Sequence, residues 1–489
     1  MPTAIPANRA PLDARSVAEV TGGRVVRLGA ARQAVGVVTD SRAVTAGCAF
    51  VALQGARHDG HSYVEAAIEA GAVLVVVARG RATETDRADV VEVDDTLSAW
   101  GALARAHVRS WRAAHPDRRV VAITGSAGKT TTKELCAALL NGSSECHATH
   151  GNLNNRVGVP AVALQLDARH RYAVFELGMS IKGEIATLAS IVEPDVAVIT
   201  NVALAHAAGV GGCLSDVGRE KGALFAALRP GGVAVANGDD PVVMGQLVRA
   251  NSARSVTFGA AVGLDYALAE RLALGAEGSR AVVVRRLGTA ARDGDSFVVR
   301  VPIPGHAAAL DFLAALAAAE AAVGDRLAYD AIAWSLQSLP PLDGRMRPRR
   351  LGHDILVLDD AYNANPASMR AALQTLAELG GGRRVAVLGE MKELGACAEE
   401  EHEALAAAVA SAGVALLISC GGLSDTIARA AQRGTEVVMA PNAEGAARAA
   451  IERVRSGDIV LVKASRSVGA DRVVEALARK HGQPAEGSG

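Results

Sequence analysis

Residues 119–134 read Arg119-Val120-Val121-Ala122-Ile123-Thr124-Gly125-Ser126-Ala127-Gly128-Lys129-Thr130-Thr131-Thr132-Lys133-Glu134, and the reading of this stretch decides the fold. β-Branched apolar residues give way to two glycines and a lysine, and from Glu134 to Leu140 the apolar positions recur at helical spacing. The pattern predicts strand, loop, helix. Glycine lets a backbone approach a polyphosphate closely, amides at a helix start point at an anion, and the lysine adds a full positive charge. Thr130 follows directly, where its hydroxyl can hold a magnesium ion. Phosphate loops usually place about four residues between the first glycine and the Gly-Lys pair. Here only Ser126 and Ala127 stand between Gly125 and Gly128, so the loop is a shortened form.

At 489 residues the chain is too long for one ordinary core, and two or three domains are expected. Aromatic residues make up only 3%, too few for platforms on which nucleic-acid bases stack. A net charge of -1 argues against a general polyanion-binding surface. No uninterrupted apolar run has transmembrane length, and Met1 to Leu12 lacks the basic-then-apolar order of a signal peptide, which points to a cytoplasmic protein. Cys48, Cys136, Cys146, Cys213, Cys397 and Cys420 form no Cys-x-x-Cys pair. They indicate neither zinc nor a disulfide framework, and all six are expected to be buried thiols.

Outward from the loop, strands alternate with helix-like segments. Tyr172 to Glu176, Asp195 to Thr200 and Val233 to Asn237 read as further strands, so residues 114–338 should form a parallel, doubly wound sheet whose ligands gather at the C-terminal strand ends. Glu176, Asn201 and His206 fall at such ends, and a carboxylate and a histidine near a nucleotide loop suit a divalent ion. Lys221, on a helix, reads by itself as a solvated charge. Residues 339–489 repeat the alternation, with strands at Ile355 to Leu358, Arg384 to Leu388, Val414 to Ser419, Glu436 to Met439 and Ile459 to Val462, a second α/β sheet. Asn363-Ala364-Asn365-Pro366 can supply the N-cap of a helix over Ser368 to Leu379. Residues 1–113 mix short apolar runs with turns and end in a helical stretch, Leu97 to Trp111. In that first part Asp40-Ser41-Arg42 reads locally as a turn.

Taken in order, these pieces resemble the Mur ligase family, from Asp40-Ser41-Arg42 to Arg466. Gly125-Ser126-Ala127-Gly128-Lys129-Thr130 is similar to the short phosphate loop of that family, and Thr149 to Asn155, Glu176 to Met179 and Gly183 to Ile185 match other motifs. Tyr362-Asn363-Ala364-Asn365-Pro366 with Gly389-Glu390-Met391-x-Glu393-Leu394-Gly395 resembles the branch that adds D-alanyl-D-alanine to a UDP-muramoyl tripeptide. One motif departs: Ala308 and Asp311 stand where the family has two asparagines, the first expected at adenine.

The resemblance implies three domains: a small mixed α/β N-terminal domain (1–113) for the UDP substrate, a central P-loop ATPase-like parallel sheet (114–338) and a C-terminal Rossmann-like domain (339–489). It implies ATP and Mg2+ as cofactors and UDP-MurNAc-tripeptide and D-alanyl-D-alanine as the small-molecule partners of a monomer. The tripeptide's terminal carboxylate would be phosphorylated and then attacked by the dipeptide amine. Gly125, Ser126, Ala127, Gly128, Lys129, Thr130, Thr131, Asn201, Arg345 and Asp360 would hold ATP. Thr130, Glu176, His206 and a carbamylated Lys221 would hold metal, while Ser41, Arg42, Asn154, Asn155, Asn363 and Asn365 would line the substrates. Lys129, Glu176, His206, Lys221 and Arg345 would carry the catalysis. The competing readings are another amide ligase of the superfamily, such as folylpolyglutamate synthase or the ligase adding the third peptide residue, and a catalytically silent nucleotide-binding scaffold.

Overall fold

The structure is a computed structural model and describes residues 5, 7–29, 33–55, 58–205, 207–250, 254–286, 295–432 and 434–482. Nine strands form the central sheet, in the order Asp295–Val301, Ser279–Arg285, Tyr266–Ala273, Arg254–Gly259, Val233–Asn237, Val196–Ile199, Arg119–Thr124, Tyr172–Glu176 and Cys146–Ala148. The strands from Cys146–Ala148 through Tyr266–Ala273 pair in parallel. The last two are antiparallel hairpin strands, an extension that alternation of strands and helices did not predict. A short turn at Gly275–Glu277 suffices to join Tyr266–Ala273 to Ser279–Arg285.

Register explains why polar residues gather at the loop. Glu176 pairs with Ile123 and Ile199 with Thr124, so the residues that close the two flanking strands emerge beside Gly125. Residues 120–123 are wholly buried, as expected of a strand covered on both faces. One cover is the Ala-rich helix His306–Val323, which packs on the helix Lys129–Asn141 behind the loop. Among the described residues this helix alone is long and apolar enough to cross a membrane, yet it is mostly buried beneath the sheet.

The first part of the chain contributes a five-stranded sheet, Val37–Val38, Ala49–Val51, Leu74–Ala78 and Asp89–Val93 in parallel with Arg24–Arg27 antiparallel at the edge. The helix Thr96–Ala113 ties this sheet to the central one, because Trp100 is fully buried with its Nε1 donating to Val157 O at 3.0 Å. The last part is a six-stranded sheet ordered Arg347–Arg350, Leu356–Asp360, Ile459–Lys463, Arg384–Leu388, Leu416–Cys420 and Glu436–Ala440, parallel except for its first strand. All six cysteines are free. Three are buried, but Cys213 is exposed against the expectation, since it precedes the helix Leu214–Ala226 with its Sγ 3.0 Å from Asp216 Oδ2.

Candidate functional site

The loop is built to leave no room for side chains at its two glycines. A Cβ on Gly125 would lie 1.9 Å from Thr200 Oγ1, and one on Gly128 2.1 Å from Asp311 Oδ1. Gly128 also has φ 79 and begins the helix without a side-chain cap. The first helical bond runs from Thr132 N to Gly128 O, so the amides of Lys129, Thr130 and Thr131 precede it and face out of the helix end. An anion there gains both donors and the positive end of the helix dipole.

Not every loop amide is available. Ser126 N donates to Asn201 O at 3.0 Å and Ala127 N to Asn201 Oδ1 at 2.9 Å, while Asn201 Nδ2 donates back to Ala127 O at 3.0 Å. Thr200 Oγ1 donates to the same carbonyl at 2.6 Å. Asn201, expected at ATP, therefore braces the loop with both ends of its amide.

Around Thr130 three parts of the fold meet. Thr130 Oγ1 donates to Glu176 Oε2 at 2.7 Å and accepts from Arg345 Nη2 at 2.7 Å. Arg345 arrives from the far side of the cleft, ahead of the third sheet. Asn154 Nδ2 donates to the other Glu176 oxygen at 2.8 Å. Lys129 Nζ donates to Gly125 O at 2.8 Å. Burial opposes ionisation of Glu176, but Lys129, Arg345 and the hydrogen bonds from Thr130 and Asn154 outweigh it and hold the carboxyl below its usual range. Burial, aided by Arg345 and opposed by Glu176, pushes the Lys129 ammonium down.

Lys221 lies buried on the helix Leu214–Ala226, not in solvent as its sequence neighbourhood suggests. Its Nζ lies 3.8 Å from Met179 Sδ. Burial, reinforced by the charge of Lys129 and opposed by Glu220, drives its ammonium well below the ordinary range. The adjacent Glu220 is already spent on Gly183 N and Ile185 N, at 2.8 and 3.0 Å.

Across the cleft, Asp360 accepts from Met346 N at 3.1 Å and from Lys463 Nζ at 2.6 Å. Asn365 caps the helix Pro366–Glu378 in a reciprocal box with Ser368. Its Nδ2 also donates to Ser126 O at 3.0 Å.

Three stretches of the chain match sequence models of one family: residues 33–108 the "Mur ligase family, catalytic domain", 123–319 the "Mur ligase middle domain" and 344–466 the "Mur ligase, glutamate ligase domain". The UDP-N-acetylmuramoyl-tripeptide–D-alanyl-D-alanine ligase of Escherichia coli strain K12 is 36% identical over 442 residues, covering 90% of this chain and 93% of the relative. The chain belongs to the Mur ligase family. MurF from Acinetobacter baumannii superposes with a TM-score of 0.84 at 28% identity, covering 97% of this Mur ligase and 100% of that chain. MurF ligase from Thermotoga maritima, solved in complex with ADP, gives 0.77 at 27% identity, covering 91% and 97%.

The structure of this Mur ligase thus brings Lys129, Thr130, Glu176, Asn154, Asn201 and Arg345 to one place. The candidates expected along the substrates lie in other settings. Arg42 pairs with Asp40 beside it at 2.6 Å and leaves 88% of its side chain in solvent, while Ser41 opens the short helix Ser41–Ala43. Asn155 Oδ1 accepts from Val157 N and Gly158 N at a helix start. Asn363 is exposed, with its carbonyl held by Lys463 at 2.9 Å. His206 lies outside the described residues.

Sequence reasoning gave no role to Lys463, buried and salt-bridged to Asp360, or to Lys133, buried with its ammonium on Thr149 O at 2.7 Å. Lys463 carried a signal, since it closes a strand as Glu176 does. Lys133 carried none, because a lysine one turn into a helix reads as solvated.

Proposed function

We propose that this Mur ligase joins D-alanyl-D-alanine to the terminal carboxylate of UDP-N-acetylmuramoyl-tripeptide, converting ATP to ADP and phosphate. The observation that supports this best is the Thr130 hydroxyl held between Glu176 and Arg345, which unites the phosphate loop, a strand-end carboxylate and a cation from the third sheet. The relatives that match over nine-tenths of the chain carry this activity in their names.

A carboxylate oxygen leaves poorly, so the acid must first be activated. A tripeptide carboxylate oxygen attacks the ATP γ-phosphorus and ADP departs, leaving an acyl phosphate. The dipeptide amine then attacks the acyl carbon, the C–O bond to phosphate breaks, and the amine proton is lost. Both steps load negative charge onto oxygens, so positioned cations lower the barrier. Lys129 and the amides of Lys129 to Thr131 would hold the β- and γ-phosphates, Arg345 would reach them from the third part of the chain, and Asp360, steadied by Lys463, would meet the ribose.

The donors fit Mg2+. A threonine hydroxyl and an ionised carboxylate 2.7 Å apart are hard oxygen ligands. Magnesium bound there would neutralise phosphate charge, with Thr130 and Glu176 orienting it and His206 serving a second ion. Lys221, a buried amine whose charged form burial disfavours, fits carbamylation: its lone pair attacks the carbon of CO2 and the amine proton is lost, leaving an anionic oxygen ligand. An intact-mass measurement and bicarbonate rescue of Lys221→Ala test this.

Residues 1–113 would hold the uridine diphosphate end through Ser41 and Arg42, 114–338 the triphosphate with Asn154 and Asn155 toward the peptide, and 339–489 the dipeptide side through Asn363 and Asn365. The enzyme would act as a cytoplasmic monomer on small molecules alone. ADP release that requires both UDP-MurNAc-tripeptide and D-alanyl-D-alanine is the expected result. Release driven by a folate, or absent with either tripeptide, diaminopimelate or lysine, overturns the proposal.

A further inference from the structure

At the end of the central sheet opposite the phosphate loop, where Arg119–Thr124 begins, a pocket of about 420 Å³ is lined by Arg109, Arg112, Arg119 and Arg229 with Asp195, Ala113 and Pro116. The strand between them spans about 17 to 20 Å, so this basin is separate from the nucleotide cleft. Its arginines are held in place from behind. Glu193, a non-glycine residue at φ 47, takes Arg105 at 2.9 Å, Arg109 at 2.5 Å and Arg112 at 3.7 Å. Asp195 takes Arg112 and Arg229, each at 3.4 Å, while accepting from Val120 N at 2.8 Å.

Among the described residues the lining carboxylates do not balance the cations: Arg109, Arg112, Arg119 and Arg229 line the pocket with Asp195, and Glu193 behind them is shared by Arg105, Arg109 and Arg112. Asp117, nearby in sequence, pairs with Arg171. Arg112 shows the deficit most clearly. Its side chain is only 10% exposed, one nitrogen reaches Val192 O, Glu193 O and Asp195, and its Nε and Nη1 have no hydrogen-bond partner. Arg119 spends one nitrogen on Pro116 O and Arg118 O, and Arg229 is 41% exposed. Guanidiniums crowded this way repel one another unless an anion joins them, and their planar forks match phosphate oxygens.

We infer that this arginine basin is a second anion site, distinct from the phosphate loop, that binds a phosphate group, free or carried on a lipid head. Inorganic pyrophosphate is the probe for the free form, with equilibrium dialysis counting equivalents. The parent protein should bind two, Lys129→Ala should keep the basin equivalent, and Arg119→Gln/Arg229→Gln should keep only the other. Affinity for the basin equivalent should fall at least about tenfold in the arginine variant. Vesicles of phosphatidylglycerol in phosphatidylcholine are the second arm. Sedimentation with them that the arginine variant loses, without a second pyrophosphate equivalent, assigns the phosphate to a lipid head. ADP release by the arginine variant should match the parent, which shows the fold intact. Two pyrophosphate equivalents retained by the arginine variant, or a parent whose single equivalent is lost in Lys129→Ala and which binds no vesicles, overturns the inference. Failure of the Lys129 equivalent alone would count against the proposed nucleotide site and leave the basin standing.

Discussion

Lys129 rests its ammonium on Gly125 O, a contact that must yield when a triphosphate takes the helix end. Truncation to alanine removes a cation from the point where charge develops, which typically costs about 3 to 4 kcal/mol in the barrier, a factor of several hundred. Lys129→Ala is therefore expected to lose ADP release by about that factor while keeping its circular dichroism spectrum. Near-normal turnover would remove the loop from the mechanism. Asp311 behaves differently. Burial raises its carboxyl to about 8 from an ordinary 3.8, with Thr132 and Arg345 pulling the other way. Because the folded state holds this proton more tightly than the unfolded chain, the stability it contributes is present below about pH 4 and drains away as pH rises to about 8. Asp311→Asn keeps the shape without the ionisation. Its melting temperature relative to the parent should rise between pH 4 and 8 and level off beyond, by about 2 to 4 °C per kcal/mol recovered. A constant difference across that range would refute the assignment.

The elements were largely legible because their signals are local. Tyr172–Glu176, Val233–Asn237 and Arg384–Leu388 lie where runs of apolar residues put them, and the helix Pro366–Glu378 starts at the expected cap. What the chain concealed depends on partners distant in sequence. Lys221 looks solvated among Arg219 and Glu220, yet the helix turns it onto Met179. Asn201 looks like a ligand because it closes a strand, yet its amide serves the loop. Glycine spacing was informative for a steric reason that only packing reveals, namely Thr200 and Asp311 pressing on Gly125 and Gly128. Gly128→Ala would add a Cβ against Asp311 at a φ of 79, which costs about 1 to 3 kcal/mol before any steric relief. The variant should melt lower than the parent and lose nucleotide-dependent protection against heating. Full protection by ATP would show that the helix start tolerates the displacement.

The site exists only because separate sheets meet over one loop. Arg345 bonds Thr130, Asn365 bonds Ser126 O, and Arg271 bonds Glu378 at 2.5 Å, so the central and third parts of the chain hold each other at three points around the cleft. Tyr362 steadies the first of these, with the guanidiniums of Arg345 and Arg466 at 4.1 and 4.8 Å from its ring. Asn365 couples closure to helix capping, and the two roles can be separated. Asparagine and aspartate cap comparably, so Asn365→Asp keeps the bond from Ser368 N while exchanging the donor that faces Ser126 O for an anion that repels it. If closure assembles the site, this variant should retain the parent's melting temperature within a degree or so, yet turn over more slowly by about three- to tenfold, the worth of one hydrogen bond of about 0.5 to 1.5 kcal/mol. Asn365→Ala should lose both, adding about 1 kcal/mol of lost capping. Equal turnover in the aspartate variant and the parent would mean that Arg345 alone suffices to close the lobes, and the Asn365 contact would then be a consequence of closure with no part in bringing it about.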